Sequence, residues 1–266
     1  MSNAKLEFKN LIHYYFSRTM KSIPIVKRVY PSLLKTLARC VWRGGYRLKK
    51  YFGSIFLLNF NNYVDREISL HGAFELPQTK FFLNQIAQRK YDVFLDIGAN
   101  FGLYSINVAR SGCITEVHSF EPDIRNFYQL SSNIYLNKFF DIITPHKVAL
   151  SDKVGEVQFE MSSGSKTGNS KVVEGNSNSG NMIVKMPTSS LDTMFIYKDK
   201  YVAVKIDVEG HEKSVLNGAQ NFFKNNKCFI QIEAWDENYN EVKSIIEQLG
   251  YKEINKIEKD CYFVNF

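Results

Sequence analysis

Asp96-Ile97-Gly98-Ala99-Asn100-Phe101-Gly102 is the stretch that decides the reading of this chain. It follows a short apolar run, Tyr91–Ile97 (YDVFLDI), and opens a helical pattern over Gly102–Arg110, so it reads as the turn between a buried strand and a helix. Two glycines four residues apart let the chain bend sharply and let a ligand approach bare backbone. The N-terminus of the following helix offers unpaired N–H groups to a carboxylate or phosphate. A dinucleotide fingerprint requires G-x-G-x-x-G, and here Asn100 stands at the second glycine position, which holds a pyrophosphate off. A buried carboxylate such as Asp96 needs a cationic or donor partner. The combination suits a zwitterionic amino-acid moiety better than a dinucleotide.

Working outward, Phe120-Glu121-Pro122 ends the next expected strand, Glu116–Phe120. Glu121 lies 25 residues after Asp96, where an open α/β sheet places an acid that accepts hydrogen bonds from ribose hydroxyls. Further along, Lys205-Ile206-Asp207-Val208-Glu209-Gly210-His211-Glu212 leaves another strand, Tyr201–Ile206, and enters a helix. Ligands of open α/β sheets sit outside the carboxyl ends of strands, so Asp207, Glu209 and His211 are candidates for general base and substrate clamp. The D-x-E-x-H spacing is compatible with a divalent metal, but no other ligand set stands out, and no metal is expected.

The remaining pattern alternates strand and helix from about residue 76, which predicts a mostly parallel sheet covered on both faces. Helices are expected over Asp123–Leu136, His211–Phe223 and Glu237–Leu249, with further strands in Ile142–Leu150 and over Cys228–Ala234. Gly155–Met161 alternates and reads as an antiparallel excursion, and 251–257 with 261–266 as a closing hairpin. Residues 162–181 are rich in Ser, Gly and Asn, and read either as a surface loop or as a lid.

The chain has 266 residues and carries 34 Lys+Arg against 27 Asp+Glu. Twelve of those basic residues fall in residues 1–53 against one acid, Glu7, which leaves the rest of the chain net negative. Residues 5–53 read as helical, with apolar positions such as Leu33, Leu34, Leu37 and Val41 at near-helical spacing. Two domains are thus expected: a basic helical appendage over 1–53 and an α/β domain over 54–266. The appendage suits either packing on the main domain with a solvated basic face, contact with an anionic membrane surface, or contact between copies. A nucleic-acid partner is not expected, since the body is acidic and holds no binding module. No run approaches the roughly 18 apolar residues of a membrane span, and no secretory apolar core is present. With Cys40, Cys113, Cys228 and Cys261 scattered, a reduced cytoplasmic protein is the expectation, peripheral at most to the inner face of a membrane.

Several stretches together resemble one family. Val93–Ser105 (VFLDIGANFGLYS), His118–Pro122 (HSFEP), Leu130–Asn137 (LSSNIYLN), Val148–Asp152 (VALSD), Thr188–Asp192 (TSSLD), Val204–Glu212 (VKIDVEGHE), Val215–Ala219 (VLNGA) and Ile230–Trp235 (IQIEAW) look like the FkbM family of S-adenosylmethionine-dependent methyltransferases, in order and at family spacing. The resemblance covers roughly residues 60–266. It implies a class I methyltransferase fold: a Rossmann-like, seven-stranded sheet with one antiparallel strand placed by the last hairpin. It also implies S-adenosylmethionine as methyl donor and O-methylation of a hydroxyl on a sugar, glycan or other secondary metabolite.

By the same resemblance, Asp96, Gly98, Asn100 and Gly102 hold the methionine end, Glu121 the ribose, and Ala149 and Leu150 flank the adenine. Asp207 and Glu209 face the methyl group and acceptor, and Phe74 and Glu75 close the site from above. The proton acceptor is expected to be Asp207 or His211, with Glu209 orienting the acceptor. Two other readings stay open at this point: a protein that binds the cofactor without catalysis, and a nicotinamide-dependent oxidoreductase, against which Asn100 argues.

Overall fold

Near-continuous burial along the central strands sets the architecture. In Val93–Ile97 and Tyr201–Ile206, buried residues point to both sides, as expected of strands covered on two faces. The computed structural model describes residues 3–24, 28–30, 32–33, 36, 45–162, 168, 170–173 and 181–266. The elements are α1 (Asn3–Ser22), β1 (Tyr46–Tyr51), β2 (Ser54–Asn59), α2 (Tyr63–His71), α3 (Leu76–Ala87), β3 (Val93–Ile97), α4 (Leu103–Ser111), β4 (Val117–Phe120), α5 (Ile124–Leu136), β5 (Ile143–His146), β6 (Ala149–Leu150) and β7 (Gly155–Met161). They continue with β8 (Lys171–Val173), β9 (Met182–Ser189), α6 (Leu191–Met194), β10 (Tyr201–Ile206), α7 (Glu212–Asn217), α8 (Gln220–Asn225), β11 (Lys227–Glu233), α9 (Tyr239–Gln248), β12 (Lys252–Ile257) and β13 (Asp260–Val264). Two units result: Met1–Leu76 with Gly164–Gly168, and Pro77–Ser163 with Asn169–Phe266.

The second unit holds a seven-stranded sheet in the order β12-β13-β11-β10-β3-β4-β5. β13 runs antiparallel to both β11 and β12, and the other pairings are parallel. This is the class I methyltransferase arrangement that the resemblance implied. The chain order reverses between β3 and β10, which makes their carboxyl ends the place where such a sheet binds ligands. A four-stranded sheet, β6-β9-β7-β8, stands apart from it and contains the antiparallel excursion. The expected single strand in Ile142–Leu150 is two, β5 in the large sheet and β6 in the small one.

The helix expected over 211–223 is broken into α7 and α8 at Gly218. A Cβ at Gly218 would lie 1.9 Å from the Ser151 carbonyl oxygen, so the backbone after β6 takes the room that a side chain would need. One face of the large sheet packs as an apolar core through Leu95, Ile97, Phe120, Val204, Ile206, Ile230 and Ile232. The other face packs aromatic rings, with Phe82 against Phe94 and Phe229. It also carries a row of polar side chains in register across the strands: Tyr262, Gln231, Lys205, Asp96 and Ser119.

In the first unit, residues 46–51 are a strand and not the helix expected through residue 53. β1 pairs with β2 around a turn in which Phe52 and Gly53 both have positive φ. Ser54, Phe56 and Leu58 alternate inward, and hairpin pairing overrides the helical spacing of the preceding residues. α1 is helical as expected, and so are residues 28–30, 32–33 and 36; the rest of that expectation lies outside the described residues. The segment read as loop or lid also falls mostly outside them, apart from β8. Cys113, Cys228 and Cys261 are unpaired thiols, and Cys40 is outside the described residues.

Candidate active site

The turn after β3 is built by three left-handed residues, Gly98, Asn100 and Gly102, with φ of 83°, 52° and 90°. The positive φ at the two glycines bears out the sharp bend read from sequence, and packing adds a second reason for glycine at each. A Cβ on Gly98 would lie 1.8 Å from the Asp207 carbonyl oxygen, and one on Gly102 would lie 2.6 Å from Leu130 Cδ1. The missing side chains therefore admit the protein's own β10 end and α5. The Gly98 and Ala99 amides both donate to the Phe120 carbonyl, tying the turn to β4.

Asp96 is buried, and its Oδ2 accepts the Ser105 amide at 2.9 Å, in the first turn of α4, together with the Ser105 hydroxyl. It thus acts as a remote cap for that helix. Burial pushes its carboxyl above the usual range, while the Lys205 charge and the Ser105 hydrogen bonds pull the other way.

Glu121, buried at the end of β4, accepts the Asn100 amide on Oε2 and the Asp123 amide on Oε1, each at 2.8 Å. Burial pushes its carboxyl up to about 8. Hydrogen bonds to a charged acceptor are worth about 1.5–3 kcal/mol each, against several kcal/mol to desolvate the ion. The Asn126 side chain adds a third hydrogen bond, and the raised carboxyl shows that burial still outweighs all three. Asn100 Oδ1 is also buried and has no hydrogen-bond partner.

The second cluster sits at the ends of β10 and β11. Lys205, 5% exposed, places Nζ 2.7 Å from Asp207 Oδ2 and over the Tyr104 ring. Its positive charge also acts on Asp96, Glu209, Glu233 and Asp260. Carboxylate oxygens of Asp207, Glu209 and Glu233 lie within 4.8 Å of one another, a spacing also compatible with a cation, and the Lys205 ammonium on Asp207 puts positive charge there.

Burial raises the Asp207 carboxyl, but the Lys205 charge and hydrogen bond, joined by a hydrogen bond from Glu233, outweigh it and hold Asp207 below the usual carboxylate range. Glu233 is pushed up to about 9 by burial and then by the Asp207 charge, so it carries the shared proton. Glu209 is pushed up to about 7 by burial, then by Asp207 and Glu212. The chain turns there through two left-handed residues, Glu209 with φ of 53° and Gly210 with φ of 97°. A non-glycine residue held at such a φ is a recurrent mark of functional sites. Glu212 steadies the loop by accepting the Gly210 amide and the Asn238 side-chain amide.

The structure thus brings Asp207 and Glu209 together, adds Glu233 and Lys205, and ties His211 elsewhere: its Nε2 lies 3.0 Å from Ser151 Oγ, next to β6. Ala149 and Leu150 are both buried, Leu150 within the apolar core. Glu75 belongs to the first unit and is another left-handed non-glycine residue, with φ of 46°. Sequence reading assigned no role to Lys205 or Glu233. Both had a signal: a charged residue in an otherwise apolar central strand, in register or alternation with other polar residues.

A family model described as "Methyltransferase FkbM domain" matches residues 96–253. The hexuronic acid methyltransferase AglP of Haloferax volcanii is 31% identical over 176 residues, which are 65% of this chain and 69% of that protein. Among solved structures, methyltransferase FkbM from Methylobacillus flagellatus KT aligns with a TM-score of 0.46 at 17% identity, over 66% of this chain and 44% of that one. TYW2 of M. jannaschii, solved in complex with AdoMet, aligns with a TM-score of 0.41 at 13% identity, over 84% of this chain and 85% of that one. The sheet order agrees with the sequence match, and methyl transfer displaces the nicotinamide reading. The chain belongs to the FkbM family of methyltransferases.

Proposed function

We propose that this protein transfers the methyl group of S-adenosylmethionine to a hydroxyl of a sugar or glycan. The observation that carries this reading is Glu121: a buried carboxyl at the end of β4, raised to about 8 and one amide hydrogen bond from the Asn100 turn. A carboxylate has about four acceptor positions, and three are taken by Asn100, Asp123 and Asn126, so a hydroxyl of a vicinal diol finds acceptor capacity here, which suits the ribose of the cofactor. The unpartnered Asn100 Oδ1 adds an acceptor beside it. Asp96, Gly98, Asn100 and Gly102 form the turn that would take the methionine end, and Ala149 and Leu150 the apolar flank for adenine. The resemblance to AglP, named for hexuronic acid methylation, supports a sugar acceptor.

When bound, the cofactor supplies an electrophilic sulfonium methyl group. The chain's own task is to align an acceptor oxygen and take its proton, worth about 10²–10⁴-fold for a well-placed base. Asp207 is poorly suited to accept that proton, because Lys205 and Glu233 hold it ionised and weakly basic. Glu209, at about 7, is matched to the task near neutral pH, and we assign it the base. His211, bonded to Ser151, is the second candidate. Asp207 then orients the acceptor, and Lys205 and Glu233 hold Asp207 in place.

The test is calorimetry with S-adenosylmethionine, followed by methyl transfer to hexuronate-containing oligosaccharides with the product examined by NMR. A methyl ether formed by the intact protein, and lost in Glu209→Gln with cofactor affinity retained, is the expected result. Tight cofactor binding with no transfer to any sugar overturns the acceptor assignment. Absence of binding overturns the cofactor reading.

A further inference from the structure

The first helix of the first unit is turned the wrong way for a soluble surface. Ser17 is 1% exposed, with its Oγ 3.2 Å from the Tyr30 hydroxyl, and Lys21 pairs with Glu67 at 3.0 Å. Among the described residues, the side of α1 that packs on its own unit thus makes polar and ionic contacts, beside the half-buried Tyr14 and Met20. The opposite side presents Ile12, Tyr15 and Phe16, each more than half exposed, at helical spacing of three and four residues. Ile23, just beyond the helix, continues that stripe and is 41% exposed. Arg18, on α1 beside the stripe, and Arg28, beyond the helix, are exposed, within the stretch of 1–53 that carries twelve basic residues and one acid.

We propose that α1 lies along an anionic lipid bilayer, with Ile12, Tyr15 and Phe16 entering the headgroup layer and the surrounding basic residues facing the lipid phosphates. An aromatic and aliphatic stripe flanked by basic residues is the pattern of a helix lying in the plane of a membrane interface. Charge decides between this occupant and a second copy of the chain. A symmetric pairing through α1 would bring two strongly basic segments together, whereas a surface of phosphatidylglycerol attracts them. α1 rests on the surface and does not cross it: among the described residues, no helix is long and apolar enough to span a membrane.

The experiment is co-sedimentation of the full chain with vesicles of phosphatidylcholine alone and with phosphatidylglycerol added, at low and high salt. The expected result is binding to the anionic vesicles only, weakened by salt. Arg18→Gln and Arg28→Gln each weaken it about fivefold. The variant carrying Ile12→Ser, Tyr15→Ser and Phe16→Ser loses at least about tenfold while staying folded by circular dichroism, since more than half of each side chain is exposed. Absent binding, equal binding to neutral vesicles, or binding indifferent to the triple variant overturns the proposal. So does a dimer in solution that the triple variant turns into a monomer, which would assign the face to a second copy.

Discussion

Gly98 has no room for a side chain, because a Cβ there would stand 1.8 Å from the carbonyl oxygen of Asp207. The Asp207 amide in turn donates to the Ile97 carbonyl at 2.9 Å. The turn read as the cofactor cradle and the strand end that carries the acidic cluster are therefore one packed unit, held backbone to backbone.

Gly98→Ala is expected to damage both. The substitution meets backbone and also forces a left-handed φ of 83° on alanine. Strain of this kind costs about 1–3 kcal/mol before the clash is counted. A melting temperature lower by at least about 4 °C, together with weakened cofactor binding, is the expected outcome by calorimetry. Full stability would mean that the two strand ends part easily.

The rate should fall with pH through the Glu209 carboxyl. Its value in the folded protein, about 7, lies above the ordinary 4.5, so the folded state holds the proton more tightly. Below about 7 the group is protonated and accepts no proton, and kcat/KM is expected to drop about tenfold per pH unit. Folding responds with the opposite sign: as pH rises from about 4.5 through about 7, ionisation of Glu209 removes stability. In Glu209→Gln the residual rate loses this acidic limb; a limb that persists would move the base to His211.

Cofactor affinity carries a separate pH signature from Glu121. In the proposed reading ribose hydroxyls would donate to the ionised carboxylate, which in the free protein forms mainly above about 8. Affinity for S-adenosylmethionine should therefore rise up to about tenfold per pH unit towards pH 8 and level off beyond it. Glu121→Gln is expected to bind weakly and with no such slope, which titration calorimetry in buffers of different ionisation enthalpy would measure.

Lys205 tests whether the polar row serves chemistry or stability. Lys205→Met strands Asp207 without its cation, and loss of one partner of a buried pair costs about 3–5 kcal/mol, less here because Asp207 is 26% exposed. Adding Asp207→Leu should restore most of the stability, since apolar replacement of both partners is often neutral or better. The double variant is expected to remain folded and inactive. Activity in it would remove Asp207 from the machinery.

The local sequence was enough for the strand–turn–helix around Asp96, for the acids that end β4 and β10, and for the alternation that predicts a parallel sheet. Those depend on spacing and on backbone conformation, which neighbouring residues set. The sharp turn at Gly98 was legible in the sequence, but its contact with Asp207, more than a hundred residues away, was not. Glu233 and Lys205 were passed over for a similar reason: a charged residue in a central strand acquires meaning only when strand register shows what lies beside it.

Residues 46–51 read as helix until the hairpin partner supplied ladder bonds that a lone segment lacks. Which carboxyl keeps its proton was likewise beyond the sequence, because burial, the Lys205 charge and the neighbouring carboxylates set it, and all are products of packing. Sequence by itself determined which chemical groups the chain owns and the order in which the strands deliver them. Tertiary structure decided which of those groups meet, since distance and desolvation, and not position in the chain, govern their ionisation.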